Sequence, residues 1–273
     1  MLLNEDRNKS FNEFLLRCSK YRNINVNLIK NISETTIKYL FANKEKRQIL
    51  KLDQSLENRW YNKLNKGIID YSVYDTDEYI AELWACWIVY SKKYLLSIQK
   101  ESSLPPYGIV KDFGKVKKIV DLGCGFGYTT LALKQMFPNA EVIGTNIENT
   151  IQIKFAKQLG KENNFKIISD IKEINGNTDL VFASEYFEHI QEPIINLQEI
   201  IKYLNPRNFL IANAFGTRAI GHFNTYIYNN NKIDSKLISK IFNKELKQFG
   251  YEKIKTKLWN NRPAYYKLKE YNF

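Results

Sequence analysis

Ile119-Val120-Asp121-Leu122-Gly123-Cys124-Gly125-Phe126-Gly127-Tyr128-Thr129 is the stretch on which the reading of this chain turns. It reads as a short buried strand, an acidic residue, a glycine-rich turn and the start of a helix. Three glycines at alternate positions permit a sharp turn and a close approach of a ligand to the backbone. The unpaired N–H groups of the helix that follows then face that ligand. The third glycine follows the second by two positions, not three, which separates the turn from the Gly-x-Gly-x-x-Gly dinucleotide fingerprint.

Downstream of the turn, strand and helix patterns alternate. Strand Lys118–Leu122 leads to a helix over Phe126–Phe137, ended by Pro138. Strand Glu141–Asn146 leads to a helix from about Asn149 to Asn163. Strand Lys166–Ser169 ends at Asp170, and strand Leu180–Ser184 leads to a helical stretch interrupted at Pro193. A helix over Ile195–Leu204 and a strand over Phe209–Ala214 follow, then a polar loop from Gly216 to Asn231, a helix Ser235–Phe249 and two closing strands, Tyr251–Leu258 and Ala264–Lys269. This rhythm predicts an α/β fold, a doubly wound, mostly parallel sheet whose ligands lie beyond the carboxyl ends of the strands.

Upstream, residues 1–103 read as helical. Phe11, Phe14, Leu15 and Cys18 recur at helical spacing. The clearest helix runs from Asp77 to about Ile98, with Asp75 or Thr76 as its cap and Leu83, Trp84 and Trp87 on its apolar face. Ser102 to Gly108, with Pro105 and Pro106, reads as a connector. The division expected is therefore a helical cap or substrate region, 1–103, and a ligand-binding domain, 104–273.

Composition narrows the function classes. With 44% hydrophobic and 14% aromatic residues the chain has ample material for a core. The richest apolar run, Leu83 to Tyr90, is too short to span a membrane. Cys18, Cys86 and Cys124 are scattered and odd in number, which fits reduced thiols in a cytoplasm better than disulfides or a zinc site. The net charge is +12, and residues 231–273 hold eleven Lys or Arg against four Asp or Glu. Such a basic segment is compatible with nucleic acid. Lysine outnumbers arginine 33 to 8, however, and arginine is the residue favoured for bidentate phosphate and base contacts. A solvated lysine surface accounts for the charge at least as well.

The pattern Asp121-x-Gly123-x-Gly125-x-Gly127, with its flanking elements, resembles the first motif of class I S-adenosylmethionine (SAM)-dependent methyltransferases. The resemblance covers about Lys117 to Phe273. It implies a Rossmann-like, seven-stranded sheet in which Asp121, Gly123, Gly125 and Gly127 hold the amino-acid end of SAM. An acidic residue that binds the ribose normally ends the second strand of that family. Here Asn146 stands there, followed by Ile147, and Glu148 is a substitute two positions on. An amide can bond a diol without charge-assisted bonds. The resemblance also places Asp170 at the adenine amine, Ile171 against the ring, Ser184 at the ligand edge, and Tyr74 or Tyr71 in a segment folding over the cofactor.

The string Asp179 to His189 starts as a strand and turns toward a helix at the same edge. Glu185, Glu188 and His189 stand at i, i+3 and i+4, which predicts one shared helical face. His222, the other histidine of the chain, lies in the loop after the fifth strand and can join them. Glu185, Glu188, His189 and His222 together would suit Mg²⁺ or Mn²⁺, and the arrangement is similar to that of metal-assisted O-methyltransferases. Without metal, His189 or His222 is the candidate general base, with Glu185 beside it. Between strand and helix the chain reads Ser184-Glu185-Tyr186-Phe187. It has neither the Asn/Asp-Pro-Pro-aromatic string of amino-group DNA methyltransferases nor a Pro-Cys nucleophile. Arg218 is a candidate partner for an acceptor phosphate or carboxylate. The expected activity is O-methylation of a small hydroxylated molecule or nucleotide. RNA or DNA methylation through the basic C-terminal segment is the first alternative, and an inactive methyltransferase-like scaffold the second.

Overall fold

A computed structural model describes residues 5–42, 45–46, 54–85, 115–254 and 263–269. A seven-stranded sheet forms the centre, in the order β3-β2-β1-β4-β5-β9-β8. Its strands are β1 (Lys118–Leu122), β2 (Glu141–Thr145), β3 (Lys166–Ile168), β4 (Leu180–Ser184), β5 (Asn208–Ala212), β8 (Tyr251–Ile254) and β9 (Ala264–Leu268). The first five pair in parallel, and β9 runs antiparallel to both its neighbours. The apolar runs of β1, β4 and β5 suit this, because a strand covered on both faces needs no polar alternation. In β4 and β5 every residue is buried.

Helices α1 (Glu5–Ser19), α2 (Val26–Phe41), α3 (Ser55–Leu64) and α4, helical over 77–85, precede the sheet. Helices α5 (Tyr128–Met136), α6 (Ile151–Asn163), α7 (Pro193–Leu204) and α8 (Ser235–Gln248) connect its strands. The N-terminal helices share a core with the sheet domain. Phe14 of α1 is fully buried, 4.8 Å from the Trp84 ring, 4.9 Å from Phe126 and 5.5 Å from Phe155. Arg17 also reaches Glu162 of α6 at 2.6 Å. Thr76 Oγ1 accepts from the Tyr79 N–H to cap α4, and Asp77 reaches back to Arg22 and to the Asn25 N–H. The rest of the expected long helix, with Cys86 and Trp87, the proline connector and the 103/104 boundary all lie outside the described residues.

Three sequence expectations need correction. Pro193 does not interrupt a helix but begins α7, because its missing N–H is one a first-turn residue leaves unpaired anyway. The polar loop 216–231 is not all loop: β6 (Thr225–Tyr228) and β7 (Asn231–Asp234) form a separate antiparallel hairpin. Its turn residues Asn229 and Asn230 both have positive φ, as a two-residue type I′ turn requires. Third, Glu185, Glu188 and His189 do not share a helical face. Glu185 sits at φ 53, and a single 3-10 turn, Phe187–His189, follows it.

Candidate active site

The glycine turn is built from beneath. Asp121, at the end of β1, is buried, and its Oδ2 accepts from the hydroxyls of Thr129 and Thr130, each at 2.6 Å. The start of α5 is thereby tied under the turn. Burial, opposed by those two hydroxyls, pushes the Asp121 carboxyl up to about 7. Gly123, Gly125 and Gly127 have φ of 66, 55 and 83, where a side chain is disfavoured. At Gly123 a Cβ would also lie 2.8 Å from the Tyr186 ring. The turn is stitched to β2 by the Gly123 N–H to Thr145 Oγ1 and the Cys124 N–H to the Thr145 carbonyl.

Above the turn, at the carboxyl ends of β1, β2 and β4, opens a cavity of about 730 Å³. Gly123, Gly125, Asn146, Ile147, Asp170, Ile171 and Ser184 line it, as do Glu185, His189 and Tyr74. Asp121, Gly127, Glu188 and His222 are not among its lining residues. Asp121 and Gly127 shape the turn instead, and Gly127 packs toward Ala156 of α6. A volume of this size holds a nucleoside-like ligand together with a second small molecule.

The polar residues around the glycine turn are held by neighbouring backbone and side-chain groups. Asn146 donates from Nδ2 to the Gly125 carbonyl at 2.7 Å and accepts from the Ile147 N–H at 2.8 Å. Its amide therefore braces the glycine turn. Glu148 accepts from Ser169 Oγ at 2.7 Å, so it is tied to the end of β3. Asp170 accepts the Lys172 N–H and caps the short turn Ile171–Glu173.

The other half of the cavity is assembled from distant segments. Tyr74 lies in the 3-10 turn Tyr71–Asp75, and its hydroxyl is 2.8 Å from His189 Nδ1. Tyr74 thus meets the histidine. Gln152 of α6 donates to the Tyr74 carbonyl, and Asp75 accepts the Ile151 N–H, which fixes that turn over the sheet edge. Gly221 closes over this pair, where a Cβ would collide with both the Tyr74 hydroxyl and His189. Burial and then the nearby His222 hold His189 well below the ordinary histidine value, so its imidazole is neutral at pH 7.

His222 stands behind His189, the two rings edge to face with centroids 4.6 Å apart. Its Nδ1 faces the Thr217 carbonyl at 2.8 Å. A carbonyl only accepts, so Nδ1 carries the proton and Nε2 the lone pair of the neutral ring. Burial lowers its pKa too. Glu188 is fully buried and accepts the Ala214 N–H at 2.6 Å through Oε1. Its Oε2 has no hydrogen-bond partner. Burial and the adjacent Glu185 raise its carboxyl well above the usual range.

Of the four metal-ligand candidates, Glu185, Glu188 and His222 bring ligand atoms within 4.8 Å of one another, and His189 is not in that group. Arg218 corrects another expectation. It pairs with Glu57 at 2.5 Å and lies over the Tyr61 ring, so it is not turned to an acceptor. Sequence reasoning missed Tyr79, Glu82, Tyr186 and Gln152, which line the cavity. Tyr79 and Glu82 of α4 and Gln152 of α6 reach it only through the packing of those helices over the sheet edge, whereas Tyr186 follows β4 directly.

A family profile described as "Methyltransferase domain" matches residues 114–259, just over half of the 273-residue chain. Among curated relatives, a malonyl-[acyl-carrier protein] O-methyltransferase of Anoxybacillus flavithermus is 28% identical over 109 residues, covering 39% of this chain and 42% of that protein. A trans-aconitate 2-methyltransferase of Deinococcus radiodurans is 30% identical over 93 residues, covering 34% and 36%. The chain thus spans about two fifths of the length of the curated relatives it matches. Among solved structures, the plantazolicin methyltransferase BpumL, in complex with a monoazolic desmethylPZN analogue and SAH, overlays at a TM-score of 0.37 with 18% identity, covering 68% of this chain and 60% of that one. The glycine turn under its cavity, the seven-stranded sheet and the match across 114–259 lead to one conclusion: this chain belongs to the class I SAM-dependent methyltransferases.

Proposed function

We propose that the chain transfers a methyl group from SAM to the oxygen of a small hydroxylated acceptor, with His189 as general base. The observation that carries this reading is the neutral His189 imidazole, held by Tyr74 at 2.8 Å in the wall of the cavity that the glycine turn floors. The turn fits a SAM-sized ligand, because Gly123 and Gly125 line the cavity in a backbone conformation that disfavours side chains, so a ligand meets the turn without them. When bound, SAM supplies a sulfonium methyl, so that an O–CH₃ bond forms as the S–CH₃ bond breaks and SAH leaves. The chain's own tasks are then to align the acceptor, exclude water and remove its hydroxyl proton. The names of the curated relatives, which include O-methyltransferases, support oxygen as the acceptor atom.

The test is turnover with SAM and simple hydroxylated acceptors. His189→Gln is expected to lower kcat about 10²- to 10⁴-fold, the usual range for a positioned base, with SAH affinity unchanged. Because its pKa is depressed, the imidazole stays in its base form down through the ordinary histidine range. The acid limb of the kcat profile should therefore fall below pH 6.5. An unchanged kcat in the variant would remove His189 from the mechanism.

A second reading is favoured by one observation: the buried, unpartnered Glu188 Oε2 beside Glu185 and His222. Two carboxylates and one imidazole nitrogen suit Mg²⁺ or Mn²⁺. In that case Glu185, Glu188 and His222 would hold the ion, which would lower the pKa of an acceptor hydroxyl. Manganese-dependent activity that Glu188→Gln abolishes supports it. Full activity in a chelator excludes it.

A further inference from the structure

We infer that the acceptor carries a positive charge, recognised by Glu82 and the tyrosine wall of the cavity; this rests on the reading of the cavity as a methyl-transfer site. Tyr71, Tyr74 and Tyr79 together form one part of the cavity lining. Tyr71 and Tyr74 stack at 5.8 Å and 16°, and Tyr74 and Tyr79 are 4.9 Å apart. Tyrosine faces attract cations through the ring quadrupole. Burial keeps the Tyr71 and Tyr74 hydroxyls protonated, so the wall itself adds no charge.

The charged groups around it are acidic. Glu82, Glu185 and Glu199 line the cavity. Lys172 is the one basic side chain among the described lining residues, beside Asp170 on the cofactor side, and it lies over the Tyr203 ring. Arg218, which would otherwise suit a carboxylate or phosphate, is held by Glu57 and Tyr61. Glu82 has burial around it and the like charge of Glu57 behind it, and both raise its pKa. A cation in the cavity relieves both effects. An anionic acceptor would enter a cavity lined by Glu82, Glu185 and Glu199, with Lys172 the one basic side chain among the described lining residues.

The experiment uses the full chain saturated with SAH and three matched phenols: tyramine, p-cresol and 4-hydroxyphenylacetate. They share the hydroxyl and differ in the charge opposite it. Calorimetry should show tyramine binding about 10-fold tighter than p-cresol, and 4-hydroxyphenylacetate weakest, in line with a cation–π contact plus one ion pair. Glu82→Gln should bring tyramine to within about twofold of p-cresol, with SAH affinity as the control for folding. Glu199→Gln gives a second, independent reduction. Equal or tighter binding of 4-hydroxyphenylacetate overturns the inference, as does a tyramine preference unaffected by Glu82→Gln, or no tyramine binding when SAH binds. If SAH itself does not bind, the underlying cofactor reading falls and takes the inference with it.

Discussion

Asp121 and Glu188 are both buried carboxyls, and each does structural work that a charge opposes. The folded-state pKa of each is raised. A raised carboxyl pKa gives stability that is fully present below the unfolded value and is lost as pH rises through the folded one. For Asp121 that window runs from the ordinary carboxylate range to about pH 7. Asp121→Asn keeps an acceptor oxygen for Thr129 and Thr130 but removes the charge. Its Tm should therefore gain on wild type by an amount that grows between pH 5 and pH 8; parallel Tm curves would contradict this. Glu188→Ala leaves the Ala214 N–H without its acceptor, at a cost of about 1–3 kcal/mol in denaturant unfolding. Glu188→Gln should recover most of it. At this scale the sequence was informative about identity and less so about role. Asp121 stands out by its place in the glycine-turn pattern, and Asn146 and Asp170 by theirs after the second and third strands. Their hydrogen bonds run to the protein's own backbone and hydroxyls, which a linear pattern does not show. The helical face expected to be shared by Glu185, Glu188 and His189 is absent for a physical reason: the i, i+3, i+4 argument needs a helix. The chain instead leaves β4 through a left-handed residue, Glu185.

The elements that frame the site differ in how visibly they were written. Parallel strands β1, β2, β4 and β5 announce themselves as short apolar runs between turn residues, and each strand expected there is present within about two residues. The β6–β7 hairpin was hidden because its signal is Asn229-Asn230 within a polar stretch, where asparagine also reads as plain loop. This hairpin bears on the site: the Tyr226 hydroxyl donates to the Glu188 carbonyl, and the Ile227 N–H to that of Gln191. Asn230→Gly should keep or slightly raise Tm, whereas Asn230→Val should lower stability by roughly 1–2 kcal/mol, since a β-branched residue tolerates positive φ poorly. Equal Tm for the two variants would argue against the type I′ turn. Helix α8 starts from the Asp234 side chain, which accepts the Leu237 N–H at 2.7 Å. Asp234→Ala should cost about 1 kcal/mol, read in the same unfolding assay.

For the molecule as a whole, charge and core tell different stories. The +12 net charge sits on exposed lysines such as Lys236, Lys240, Lys244 and Lys247 of α8, while the described cavity wall is acidic. Composition alone could not separate surface charge from site charge, which is why a nucleic-acid partner stayed open at the sequence level. No helix among the described residues is long and apolar enough to cross a membrane. The N-terminal helices are joined to the sheet domain through Phe14, Trp84, Phe126 and Phe155 in one buried cluster. Phe14→Ala should cost about 3–5 kcal/mol and lower the single unfolding midpoint, not split it into two transitions. The central claim remains that the cavity above Gly123–Gly127 is a SAM site. Calorimetric titration of the wild-type chain with SAH tests it most directly. The account predicts one-to-one binding that is lost in Gly123→Val, whose side chain would run into the Tyr186 ring. No binding at millimolar SAH, or equal binding by Gly123→Val, would contradict it and leave a methyltransferase-like scaffold in its place.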